Sequence, residues 1–214
     1  MNPTVILCRH GNTFAKGERV VMVGAREDLP LTDEGLEQAR ALGKVLKDAG
    51  ICIDRVLSGP LRRTKVFAEQ LMGEAMYAAS LSIDPRLMEL DYGAWSGLSD
   101  EEIREQYGSE ALLRWQEASE RPEGVGFAPS AEQVRADVNG LLAELFASGG
   151  MSLVVSSNGR LREFGRACRA SAERTSSFKM RTGSASVIEC KDGAWSIRAW
   201  DLRPDALARF YAEV

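Results

Sequence analysis

Histidine is nearly absent from this chain: His10 is the only one in 214 residues. A single imidazole cannot build a multi-histidine zinc site, and no cysteine or carboxylate cluster has the spacing to replace it. No metal is expected. A nucleotide-binding loop of the Walker type is also missing, and no cofactor is expected. Cysteine is sparse: Cys8, Cys52, Cys168 and Cys190 stand far apart with no Cys-x-x-Cys pair, three of them in apolar surroundings. They read as free thiols in a reducing compartment. No apolar run approaches the roughly 20 residues that span a bilayer, and no basic segment leads into an apolar stretch at the N-terminus, so a cytoplasmic protein without a membrane partner is expected. Positive charge is short as well, with 27 Lys and Arg against 31 Asp and Glu and a net charge of −4. That excludes a general nucleic-acid binder, which needs a clustered positive surface. Any anionic ligand must be held by a local group of arginines.

What is present is an alternation of strand and helix patterns, the signature of helices packed on both faces of a mainly parallel sheet, an α/β three-layer sandwich. The apolar run Val5 to Cys8 predicts a first buried strand, followed by a charged, glycine-bearing loop over 11–30 whose length suggests function. Thr32 caps a helix over about 33–49, with Gly50 ending it. Ile53 to Leu57 reads as a second strand, Pro60 suits the first turn of a helix over about 60–74, and Leu81 to Ile83 is a short strand. Capping boxes at Ser99–Glu102 and Ser130–Gln133 open helices at Asp100 and after Ser130, with another helix over 109–119; residues 89–129 read as a helical insertion over one end of the sheet of a single domain spanning 1–214. Ser152 to Ser156 is a strand, Gly159 to Arg169 the helix behind it, and Ser184 to Cys190 with Trp195 to Trp200 form a hairpin around Lys191-Asp192-Gly193. The apolar Leu207, Phe210 and Tyr211 pack either on the core or in a homodimer contact.

The chemistry gathers around His10. Arg9-His10-Gly11 follows strand one; Ser58-Gly59-Pro60-Leu61-Arg62-Arg63-Thr64 follows strand two; Glu89 begins Glu89-Leu90-Asp91-Tyr92-Gly93. With Leu31-Thr32-Asp33-Glu34-Gly35 opening the first helix, this ordered set resembles the histidine phosphatase superfamily, the phosphoglycerate-mutase-like proteins, through most of the chain. The resemblance implies that His10 is the nucleophile that becomes phosphohistidine, as suits a neutral imidazole nitrogen. Arg9 and Arg63 would hold the phosphoryl oxygens, where a planar guanidinium meets two at once, while Arg62 belongs to the solvated helix face. Glu89 would protonate the leaving oxygen, which asks for partial desolvation or a bound phosphate nearby. Asn12, Thr13 and Gly24 match phosphate or substrate contacts of the family, and each also fits ordinary turn chemistry.

The fourth strand departs from the family pattern. Where the family has a second histidine before a glycine, this chain reads Ser156-Ser157-Asn158-Gly159-Arg160-Leu161-Arg162, and no other histidine exists to replace it. Ser157 and Asn158 can donate hydrogen bonds at a helix N-terminus that favours anions, or one of them simply caps that helix. Arg160 is a candidate to restore the lost charge. The run Arg160, Arg162, Arg166, Arg169, Arg174, Lys179 and Arg181 could widen the anion site toward a bulky phosphorylated substrate, but its helical spacing reads as a solvated helix face outside the site. The expectation is a phosphomonoesterase acting on a small phosphorylated metabolite. The alternatives are a catalytically silent phosphate-ligand or protein binder of the same fold and, behind it, a phosphoglycerate mutase.

Overall fold

The computed structural model describes residues 2–168 and 177–213; the expected helix end at Arg169, and Arg174, lie outside the described residues. Six strands form one mixed sheet in the order β3-β2-β4-β1-β5-β6. Strands β1 (Thr4–Arg9), β2 (Arg55–Ser58), β3 (Leu81–Ile83) and β4 (Met151–Ser156) run parallel. Strand β5 (Ala185–Lys191) lies antiparallel to β1, and β6 (Ala194–Leu202) returns antiparallel to β5 through a turn in which Asp192 and Gly193 both have positive φ. That is the geometry a two-residue hairpin of this hand requires.

Strand β1 is buried on both sides, so its pleat sends alternate residues into different cores. Ile6 and Cys8 pack with α1 (Asp33–Asp48), α2 (Arg62–Ala75) and α7 (Pro204–Ala212); Val5 and Leu7 pack with α5 (Ala131–Ser148) and α6 (Asn158–Ala167). Complete burial of a side chain such as Leu7 or Phe164 is worth about 1.5–3 kcal/mol each. A third cluster joins Leu90, Trp95, Ile103, Leu112 and Trp115 around α3 (Asp100–Tyr107) and α4 (Ser109–Ala118). Phe127 meets Tyr92, Trp95 and Trp115 edge-on at 5.2, 5.5 and 5.2 Å. Among the described residues no helix is long and apolar enough to cross a membrane.

One relationship positions the site. Neighbouring strands β1 and β4 pair in register so that Arg9 lies opposite Ser156, and the helices following them, α1 and α6, belong to opposite faces of the sheet. Such a switch point opens a crevice at the carboxyl ends of the strands.

Several expectations shift. Helix α2 begins at Arg62, because Leu61 is extended (φ −70°, ψ 144°), and the first helical N–H is taken by Asp28 Oδ1 at 2.6 Å, from the 11–30 loop. Pro60 therefore precedes the helix. Ser130 caps α5, yet Gln133 turns to Asp137 at 2.8 Å and leaves the capping box half made. Helix α7 was not foreseen, although Pro204 at its first turn and the spacing of Leu207, Phe210 and Tyr211 signal it; these three pack on the chain's own core.

Candidate active site

His10 directly follows β1, its backbone N–H donating to Ser156 O at 3.2 Å. The ring is 5% exposed, and Nδ1 lies 2.8 Å from Gly11 O. A carbonyl only accepts, so the proton sits on Nδ1 and the Nε2 lone pair is free. Burial, then the charges of Arg9 and Arg63, push the His10 pKa well below its ordinary value. The imidazole is neutral at pH 7, the state in which it is a nucleophile.

Two guanidiniums flank it. Arg63 comes from the first turn of α2 and is 1% exposed, its Nη1 donating to Glu27 O at 2.7 Å and Nη2 to Gly24 O at 3.0 Å. Arg9 donates from Nη1 to Met180 O, while its buried Nε has no partner among the described residues. Burial lowers the pKa of both arginines, though each remains a cation. Arg62, one residue before Arg63, is exposed as expected.

Glu89 is 4% exposed and is held by backbone donors, Leu90 N–H to Oε1 at 2.7 Å and Gly159 N–H to Oε2 at 3.1 Å. The second is an amide of the first turn of α6, so Glu89 itself takes part of the anion-binding helix end that the sequence assigned to a ligand. Tyr92 is buried beside it, and burial, followed by the Glu89 charge, raises the phenol pKa well above 10 and keeps its proton on.

Of the remaining expected residues, Asn12, Thr13 and Asn158 line the same cavity. Asn12 Oδ1 accepts from Thr182 Oγ1, and Asn158 Oδ1 accepts from Met180 N at 2.9 Å, so both also tie the 179–182 segment to the site. Gly24 does not line the cavity: its carbonyl serves Arg63, and a Cβ there would lie 2.6 Å from Leu90 O. Its smallness lets the loop lie against the backbone beside Glu89. Ser157 is 1% exposed, its Oγ has no partner among the described residues, and it makes no side-chain cap on α6; it too lies outside the cavity lining.

The arginines of α6 correct the sequence reading twice. Arg160 is buried but turned away, donating to Met88 O at 3.0 Å and paired with Asp137 at 3.1 Å, so its guanidinium is committed outside the cavity lining. Arg162 is no solvated residue: 3% exposed, it lines the cavity and stacks 4.8 Å from the centre of the Trp115 ring. Its place was legible as one turn beyond Asn158 on one helix face. Lys179, which the sequence reading left outside the site with the rest of its basic run, also lines the cavity, as do Tyr92, Trp115 and Thr182, which it gave no site role.

These side chains surround a cavity of about 770 Å³ that opens between the ends of β1 and β4 and the α3–α4 segment. The family model for the histidine phosphatase superfamily (branch 1) matches residues 5–203, and the chain belongs to that superfamily. It is 33% identical over 140 residues to a 2,3-bisphosphoglycerate-dependent phosphoglycerate mutase of Staphylococcus carnosus, a match covering 64% of this chain and 58% of the relative. A mutase of the same name from Rhizobium meliloti is 34% identical over 137 residues, 63% of this chain and 61% of the relative. The matched stretches thus span less than two thirds of these relatives. Among solved structures, mycobacterial hydrolase 1 superposes with a TM-score of 0.78 at 22% identity, covering 95% of this chain and all of that one. Mycobacterial glucosyl-3-phosphoglycerate phosphatase gives 0.74 at 23%, covering 93% and 98%. The alpha-ribazole phosphatase of Shigella flexneri gives 0.70 at 23%, covering 94% and 96%. At these identities the likeness is one of fold, and it is a fold that phosphatases use.

Proposed function

We propose that the protein is a phosphomonoesterase working through a phosphohistidine at His10. The observation that carries this reading is the neutral, buried His10 ring, its proton committed to Gly11 O and its Nε2 free, between two arginines that have no carboxylate partner among the described residues. In the first step the Nε2–P bond forms as the ester P–O bond breaks, and Glu89 gives its proton to the departing alkoxide. Arg9 and Arg63 hold the non-bridging oxygens, whose charge spreads in the transition state. In the second step Glu89, now a carboxylate, takes a proton from water as that water attacks phosphorus. The P–N bond breaks, releasing phosphate and restoring neutral His10. The Nδ1–H keeps donating to Gly11 O throughout, so the phosphorylated ring is cationic and departs as neutral imidazole, a good leaving group.

A second reading, a phosphate-binding protein without turnover, draws on Ser157, which stands where the resemblance puts a second imidazole and lies outside the cavity lining. One experiment separates the two. Wild-type protein is mixed with a ³²P-labelled phosphomonoester, quenched, and examined for acid-labile, alkali-stable label, alongside steady-state hydrolysis of an ester panel. Label on wild type, its absence from His10→Ala, and a loss of turnover of roughly 10³-fold or more in that variant support the esterase. Undiminished turnover by His10→Ala would sink it; phosphate binding with neither label nor turnover favours the silent binder.

A further inference from the structure

A second, smaller cavity of about 460 Å³ adjoins the catalytic one at Arg9. Arg9, Asn12, Lys179 and Thr182 line both, so these four side chains form the partition between them. The hydrogen bond from Thr182 Oγ1 to Asn12 Oδ1 runs within that partition. Behind it the floor is made by α1 and the 179–183 segment. Gln38 Oε1 accepts from Asn12 N at 2.9 Å, which leaves the Gln38 amide NH2 with no acceptor among the described residues. Gly183 holds Gln38 in place, since a Cβ there would lie 2.6 Å from the Gln38 Cβ and its φ of 66° suits glycine.

The rim is basic. Lys179, Arg181 and Arg203 are exposed at the mouth, half-buried Arg9 joins them from the partition, and Glu34 is the one carboxylate in the lining. Such a surplus is local, because the chain as a whole carries a net charge of −4. Asp201 neutralises Arg181, its Oδ2 accepting from Nε at 2.8 Å and its Oδ1 from the Arg181 backbone N–H at 2.6 Å. Arg9, Lys179 and Arg203 have no carboxylate within ion-pair distance among the described residues, and Asp205, next along the chain, turns to Arg209 at 3.5 Å. With Glu34 offsetting one cation and Asp201 another, two positive charges remain. That is the charge of a phosphate dianion. Lys179 and Arg181, which the basic run of the sequence placed on a solvated helix face, meet Arg203 here from a different part of the chain.

We infer that this second cavity is a regulatory site for a small free dianion of the phosphate type, separate from the site at His10. Its occupant weakens the hold on a phosphoryl group at His10 for two reasons. Both anions draw on Arg9 and Lys179, and two dianions on either side of one partition repel each other. Such coupling is reciprocal, so a phosphoryl group at His10 weakens the second site equally. The second site stands without the phosphatase reading; only its effect on turnover rests on that reading.

Inorganic phosphate is the probe, titrated into the protein by calorimetry at constant ionic strength. Wild type is expected to show two binding events. Arg203→Gln, at the rim and outside the catalytic cavity, is expected to weaken one of them roughly five- to tenfold, between the worth of an exposed ion pair and that of a buried charge-assisted hydrogen bond, and to leave the other in place. Arg203→Lys keeps the charge and should keep most of the affinity, which separates loss of charge from disturbance of α7. Arg63→Gln should weaken the event that Arg203→Gln spares. In hydrolysis of p-nitrophenyl phosphate, phosphate should lower kcat as well as raise KM for wild type, and act as a purely competitive inhibitor of Arg203→Gln. A single event in wild type, or two events that Arg203→Gln leaves unchanged, overturns the site; purely competitive inhibition of wild type overturns its regulatory role. Two events that respond to the two substitutions separately, with no hydrolysis by wild type, support the site and remove the phosphatase reading alone.

Discussion

Gly159 and Glu89 form a contact that leaves no room for a side chain at 159 unless Glu89 and Tyr92 shift. The Gly159 N–H donates to Glu89 Oε2 at 3.1 Å, and a Cβ at that position would lie 2.4 Å from Oε1 and 2.7 Å from Tyr92 Oη. The glycine after β4 thus admits the carboxylate to the helix end, coupling the fourth strand to the residue proposed as general acid.

Gly159→Ala should therefore impair proton transfer more than folding. Alanine stabilises a helix relative to glycine by about 0.5–1 kcal/mol, which offsets part of the steric cost. Displacing Glu89 should lower turnover of an alkyl phosphate by about 10²-fold, the lower end of the 10²- to 10⁴-fold that a general acid contributes. p-Nitrophenyl phosphate, whose leaving group needs little protonation, should lose less. The ratio of kcat/KM for the two esters checks this; an equal loss on both means that the damage lies elsewhere than at Glu89.

The depressed pKa of His10 has a definite sign for stability. In the unfolded chain the ring takes a proton near pH 6.5, whereas in the folded state its pKa lies well below that, so between these values the unfolded state binds more protons. Folding stability from this group is complete above about pH 6.5 and declines on acidification, by at most about 1.4 kcal/mol per pH unit. His10→Gln should flatten that part of the stability-against-pH curve between pH 7 and 5, measured by urea unfolding at fixed ionic strength. Parallel curves for the two proteins would contradict it. Turnover by the wild type should not show the acid loss of an ordinary histidine near pH 6.5.

Asp28 belongs to both the loop and α2. Its Oδ1 accepts from Arg62 N at 2.6 Å, where Leu61 offers no side-chain cap, and neighbouring Glu27 supplies the carbonyl that anchors Arg63. Asp28→Ala should cost about 1 kcal/mol of stability, as loss of a helix cap does, and weaken phosphate binding severalfold by loosening the Arg63 anchor. Asp28→Asn, which retains an acceptor, should recover most of both. Thermal unfolding with and without phosphate distinguishes the two effects.

The sheet, its helices and the neighbourhood of His10 were legible because each rests on local pattern. Val5 to Cys8 is apolar enough to be buried on both faces, Thr32 and Ser99 announce their helices, and Arg9 and His10 are adjacent in sequence. Spacing puts Arg162 on one face of α6 with Asn158, but what covers each face of that helix was not legible. Arg160 and Arg162 are two residues apart and both buried, yet one meets Asp137 and the other Trp115. That difference depends on which elements pack over each face of α6, a property of the tertiary fold. Gly24 makes the same point. Its match to a phosphate contact is a matter of sequence position, whereas its carbonyl is occupied by Arg63 only because loop and α2 meet in space.

Ser157 provides the sharpest separation of sequence position from role. Its hydroxyl is buried with no partner among the described residues, so the fold already bears a desolvation cost at that atom. Such a group costs about 1–3 kcal/mol, and deleting it removes that penalty while leaving a void of one oxygen. Ser157→Ala should be as stable as wild type or up to about 1 kcal/mol more stable by urea unfolding. Because Ser157 lies outside the cavity lining, turnover should stay within about threefold, far short of the 10²- to 10³-fold loss that follows removal of a donor to the transition state. A loss of that larger size, with stability unchanged, would show that the hydroxyl swings to the phosphoryl group when substrate binds. The serine would then be acting in place of the imidazole.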